Sequence, residues 1–185
     1  GTGTNKWAKG GVMIRQDLTP GSPNVFGAVT GGDGDGGTFQ WRLKPNVASD
    51  SSRTLKGIAP PYWVRVTRTG NVFTCEMSAD GTTWEQEGDV TKVPVTVEMP
   101  STVLIGLAVT SHLAGEERAF TFDNVGITGT LVPAGPLAAW DVINATQNDA
   151  QPIYAAIEDG AGSVASVNFG DPAATLMNQA WSWKI

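Results

Sequence analysis

Apolar and polar residues alternate with a period of two along most of the chain before residue 130. In GVMIRQ (11–16), Val12 and Ile14 fall on one face and Met13 and Arg15 on the other. NVFGAVT (24–30) continues the pattern less strictly. TFQWRL (38–43) sets Phe39, Trp41 and Leu43 against Thr38, Gln40 and Arg42. YWVRVTR (62–68) sets Tyr62, Val64 and Val66 against Trp63, Arg65 and Thr67. VFTCEM (72–77) sets Phe73, Cys75 and Met77 against Thr74 and Glu76, and AFTFDNVGIT (119–128) sets Phe120 and Phe122 against Thr121 and Asp123. Such alternation belongs to strands with one buried and one wet face, as in antiparallel sheets. TVLIGLAVT (102–110) is apolar on both faces, which predicts a central strand covered on both sides. No stretch before residue 130 carries a helical period.

The punctuation agrees with this reading. TGNV (69–72) and ADGT (79–82) are tight-turn signals between strands. GGDGDGG (31–37) predicts a flexible loop, and KPNVASDSSRTLKGIAPP (44–61) a long polar one. Residues 1–129 are therefore expected to form an all-β antiparallel sandwich. LVPAGPLAAW (131–140) shifts composition, so 130–140 is expected to be a linker. Residues 141–185 are β-like again, in strands about Tyr154–Ile157, VASVNF and AWSWKI. Three strands of this size cannot bury a core alone. They are a partial second β module or strands added to the first sheet.

Composition narrows the classes. Of 185 residues, 41% are apolar and 16% charged, which suits a packed core rather than disorder. The net charge is −6 with no basic cluster, so nucleic acid and anionic membrane are poor partners. No apolar run approaches the roughly 18 residues of a membrane span. One Cys and one His leave no internal disulfide, no zinc site built on histidines and no easy Ser-His-Asp triad. Cys75 is expected in the core and His112 in a solvated loop.

The ordered set WAKGGVMIRQ, APPYWVRVTRTGNVFTCEMSADGTTWEQEG, VLIGLAVTSH and AFTFDNVGIT resembles a bacterial family of concanavalin-A-like domains, in the LamG-like lectin/glucanase jelly-roll class. In that family further strands precede the Trp-Ala-Lys segment, so the resemblance implies a sandwich without its N-terminal strands. The tail, YAAIEDGAGSVASVNFGDPAATLMNQAWSWKI, resembles the opening strands of a carbohydrate-binding jelly roll. Together they imply an internal fragment of an extracellular multidomain protein. They also imply a non-catalytic module whose partners are a polysaccharide or glycan and the neighbouring domains.

Candidate chemistry is sparse. SADGTTW (78–84) looks almost like a sialidase Asp-box, but Asp80 and Gly81 are adjacent where the box needs a residue between them. An EF-type calcium loop would need more oxygen ligands at fixed spacing. The stretch is expected to be a hairpin turn, with Gly81 at positive φ and Trp84 covering it. Glycosidases of this fold carry paired carboxylates about 5–5.5 Å apart when retaining. Glu85 and Glu87 share a strand face but read as a solvated edge, Glu116 and Glu117 point apart if extended, and Glu158 and Asp159 lie in a turn. No catalytic residue is assigned, and no cofactor.

Sugars need an aromatic ring against their C–H face and polar groups for their hydroxyls. Arg15, Gln40, Arg42, Trp63, Arg65 and Glu76 lie on polar strand faces and would form such a platform if those faces align in one sheet. A saccharide bearing carboxylate or sulfate would suit the arginines. The same residues also describe a solvated face whose charges pair across strands. Trp7 and Trp41 read as core, and Trp181 and Trp183 as a stacking pair or as core. Asp33 and Asp35, with flexible carbonyls around them, offer the oxygens of a structural calcium site, although such a run is also an ordinary polar loop.

Overall fold

The computed structural model describes residues 5–30, 36–114, 120–131, 151–152, 155–158 and 163–165. Among these there is no helix. The strands are β1 (Lys9–Arg15), β2 (Asn24–Thr30), β3 (Gly37–Arg42), β4 (Asp50–Ser52), β5 (Trp63–Thr69), β6 (Val72–Ser78), β7 (Glu85–Gln86), β8 (Val95–Thr96), β9 (Thr102–Thr110), β10 (Thr130–Leu131), β11 (Gln151–Pro152), β12 (Ala155–Glu158) and β13 (Ser163–Ala165). They form an eight-stranded sheet, β10-β12-β9-β1-β2-β3-β4 with β11 also on β9, and a five-stranded sheet, β13-β5-β6-β7 with β8 also on β6. All pairings are antiparallel. The chain is an all-β sandwich, as the alternation predicts.

Register makes the core. Ile14 lies opposite Val25 on one neighbour and Ile105 on the other, and Phe39 lies opposite Gly27. Val12, Ile14, Val25, Phe39, Trp41 and Ile105 therefore face inward together, and meet Val66, Phe73, Cys75 and Met77 of the smaller sheet. Gly27 sits where the layers approach closely: a Cβ there would lie 2.6 Å from Cys75 Sγ and 2.8 Å from Val66 Cγ2. Met13, Phe26, Ala28 and Ala108 form a second buried cluster on the opposite face of the larger sheet. Over Ile105–Thr110, β9 is buried on both faces, as its doubly apolar pattern requires. Downstream, β12 pairs with β9 (Ala155 opposite Ile105), and β13 pairs with β5 (Val164 opposite Thr67).

Three segments depart from the sequence reading. AFTFDNVGIT is no strand over its described residues, 120–128. Phe122, Val125 and Ile127 still pack on the core, but Asn124 at φ 50° breaks the extended run. The 44–61 loop contains β4, paired with β3. Residues 93–99 bury Val93, Val95, Val97 and Met99 in strict alternation, although only Val95–Thr96 makes a ladder.

Candidate functional site

The outer face of the five-stranded sheet carries the densest group of aromatic and charged side chains among those predicted to bind. Period-two alternation sends Trp63, Arg65 and Thr67 outward from β5, opposite Ser78, Glu76 and Thr74 of β6. Arg65 and Glu76 thus stand directly across from one another, the arrangement in which opposite charges gain most on a sheet. Arg65 Nε and Nη2 each lie 2.9 Å from Glu76 Oε2. The next strand brings Gln86 beside Glu76, and Trp84, just before β7, under the guanidinium, with Arg65 Cζ 4.0 Å from its ring centroid.

Trp63 is 36% exposed, and its ring rests on the β6–β7 loop. A Cβ on Gly81 would lie 2.8 Å from Trp63 Cε2, so glycine there both takes φ +73° and admits the indole. Asp80 holds that loop. Its carboxylate accepts from the backbone N–H groups of Thr82 and Thr83, at 2.7 Å each, and from the Ser78 hydroxyl at 2.9 Å. Those bonds, led by that from Thr83 N–H, hold the Asp80 carboxyl far below the usual carboxylate range. The SADGTTW stretch is a turn, as expected, but a longer one than a two-residue hairpin, since β6 ends at Ser78 and β7 begins at Glu85. Trp63 covers the turn at Gly81.

The six residues expected to share one platform divide between the two layers. Trp63, Arg65 and Glu76 come together as above. Arg15, Gln40 and Arg42 lie on the outer face of the eight-stranded sheet, where the registers oppose Arg15 to Asn24, Asn24 to Arg42, and Phe26 to Gln40. Arg15 is buried there, donating from Nε to the Asp17 carbonyl at 2.7 Å and from Nη2 to the Thr19 carbonyl at 2.6 Å. Arg42 donates from Nε to the Val47 carbonyl at 3.0 Å and from Nη1 to the Pro20 carbonyl at 2.8 Å. Both arginines tie down the 16–23 and 43–49 loops. Gln40 is half-buried.

Glu87 overturns the reading of a solvated acidic edge. It is fully buried while Glu85 is exposed. Its Oε1 accepts the Thr54 N–H at 2.8 Å and its Oε2 the Leu55 N–H at 3.1 Å. Burial pushes its carboxyl above the usual range, opposed by those two bonds and by Lys56 and Arg53. Cys75 is buried as predicted, and burial, with Glu87 and Glu76 nearby, pushes its thiol well up. Trp41 is core. Trp7 is not: it is half-buried, with Arg53 Cζ 4.3 Å and Lys6 Nζ 5.1 Å from its ring centroid. Lys9, at the start of β1, is buried, and that burial, with Arg53 nearby, lowers its ammonium to about 8. His112 is half-buried at φ 58°, its ring pushed down by burial and by Lys9.

Asp33 and Asp35, Glu116 and Glu117, Asp159, Trp181 and Trp183 lie outside the described residues, and nothing is described of the Glu158 side chain. Among the described residues no three His, Cys, Asp or Glu side chains group as metal ligands. No helix there is long and apolar enough to cross a membrane. Compared with family models, curated proteins and solved structures, the chain matches none of them.

Proposed function

We propose that the chain is a non-catalytic carbohydrate-binding module of a secreted or cell-surface multidomain protein, built as a concanavalin-A-like jelly roll, with its saccharide on the outer face of the five-stranded sheet. The observation that carries this reading is the exposed Trp63 ring, held by the Gly81 loop beside the Arg65–Glu76 pair. The indole supplies a flat apolar surface for a sugar's C–H face, and the ion pair supplies a donor and an acceptor for hydroxyls. The ring is already positioned by the loop, so little side-chain ordering opposes binding.

The non-catalytic reading rests on the carboxylates near this face. Glu76 is engaged by Arg65, Asp80 caps its own loop, and Glu87 is buried on loop amides. Each of the three is thus committed to a structural partner rather than poised as an acid or nucleophile. A spacer without a sugar site is the second reading, favoured by Arg15 and Arg42, which serve loop carbonyls. A glycan array with the wild type and Trp63→Ala separates the two. Binding to at least one glycan, lost in Trp63→Ala by about tenfold or more, a change of about 1.4 kcal/mol, supports the module. No binding to any glycan supports the spacer.

A further inference from the structure

We infer that this face selects neutral polysaccharide and rejects uronate- or sulfate-bearing chains, because its one outward arginine among the described residues is already neutralised by Glu76. The inference rests on the saccharide reading above. Arg65 gives both Nε and Nη2 to a single oxygen, Oε2 of Glu76, and lays its flat face on Trp84. The two side chains remain 28% and 30% exposed, so they are reachable from solvent. Among the described residues, Oε1 of Glu76 and Nη1 of Arg65 are then left for a ligand. A sugar hydroxyl both donates and accepts, so a vicinal hydroxyl pair beside Trp63 answers both atoms at once.

A carboxylate or sulfate can only accept. It would meet the Glu76 carboxylate beside it, and it could take the remaining Arg65 Nη1 only at the side of that like charge, which opposes it. The surroundings add to the repulsion. Asp80 stands in the loop under Trp63, and the whole chain carries −6. The arginines first expected to attract an acidic sugar do not serve here: Arg15 and Arg42 are on the other layer.

Affinity electrophoresis tests this with an unsubstituted β-glucan and a galactomannan against polygalacturonate and dextran sulfate. The wild type is expected to be retarded by a neutral polymer and not by either anionic one. Glu76→Gln keeps an acceptor for Arg65 but removes the opposing charge. It is expected to gain affinity for the anionic polymers by about tenfold, which corresponds to about 1.4 kcal/mol, and to lose the gain as salt rises. The fold of each variant is checked by protection of the buried Cys75 from a thiol reagent. Wild-type retardation by polygalacturonate or dextran sulfate above that by the neutral polymers would overturn the inference and leave the saccharide site standing. A folded Glu76→Gln with no anionic gain would overturn it too. No retardation by any polymer overturns the saccharide reading itself.

Discussion

A single carboxylate shows how little of a side chain's fate its local spacing decides. Glu85 and Glu87 stand two apart, so alternation puts them on one face, and acidic neighbours suggest that the face is wet. Yet Glu87 is buried, and its oxygens close the exposed amides of Thr54 and Leu55 on a distant loop. The signal that could have marked it is Gly37, where any Cβ would collide with the Glu87 carboxylate and lie 2.6 Å from Met77 Sδ. Removing the acid orphans two donors, so Glu87→Ala is expected to lower unfolding stability by about 3 kcal/mol and Glu87→Gln by about 1–2 kcal/mol. The pH dependence has a definite sign. A folded-state pKa raised above the ordinary 4.5 gives a contribution fully present below 4.5 and lost as pH rises through the folded value. Urea titrations above pH 4.5 should therefore show the gap between wild type and Glu87→Gln narrowing as pH rises. A widening gap would mean that the carboxylate is favoured in its ionised form. The candidate site was half legible for the same reason. Alternation placed Trp63, Arg65 and Glu76 outward correctly, because each strand carries that information itself. Which outward face Arg15 and Arg42 would join depends on strand order, which no single strand records.

Elements were legible where alternation ran unbroken and turns were short. TGNV gives a two-residue turn, with Gly70 at φ 59° and Thr69 opposite Val72. Residues 93–99 carry the same period-two signal and were missed as an element because Pro94 lies inside the stretch, Pro100 follows it, and only two residues enter a ladder. Conversely, Phe120 and Phe122 alternate without making a strand; a Cβ on Gly10 would lie 2.7 Å from the Phe120 ring and 3.1 Å from that of Phe122, so they fill space above β1 rather than extend its sheet. The β6–β7 loop is held by its Asp80 cap more than by a tight turn. Asp80→Ala should release the Thr82 and Thr83 amides to fast hydrogen exchange and loosen Trp63, seen as a change in tryptophan emission, while β1–β3 keep their protection. Because the folded carboxyl is depressed, its contribution is full above the ordinary 3.8 and is lost only as pH falls through a much lower value. The Thr82 and Thr83 amides are thus expected to stay protected at pH 4 in the wild type. Exchange there as fast as in Asp80→Ala would show that the carboxylate does not hold the loop.

At the scale of the whole molecule the two layers must choose a separation, and Gly27 marks where it is set. Sheets pack about 10 Å apart when ordinary side chains meet between them. At Gly27 the larger sheet offers only hydrogen, and the smaller offers Cys75, Val66 and Val64 into that space. The cysteine is there as volume: it is buried, its thiolate is disfavoured, and it is the one sulfhydryl of the chain. Gly27→Ala should therefore strain the interface and lower stability by about 1–3 kcal/mol. Cys75→Ala alone should also destabilise, since it leaves a void in a dense core. Combined, the two exchange volume across the same contact, and the double variant should be more stable than the sum of the singles by about 1 kcal/mol. Additive losses would mean that the sheets move apart to admit the new methyl, so that their spacing is fixed elsewhere. A positive coupling would place the register of the layers on a glycine–cysteine contact that spans strands β2 and β6, and the face carrying Trp63 would then inherit its position from the opposite side of its own sheet.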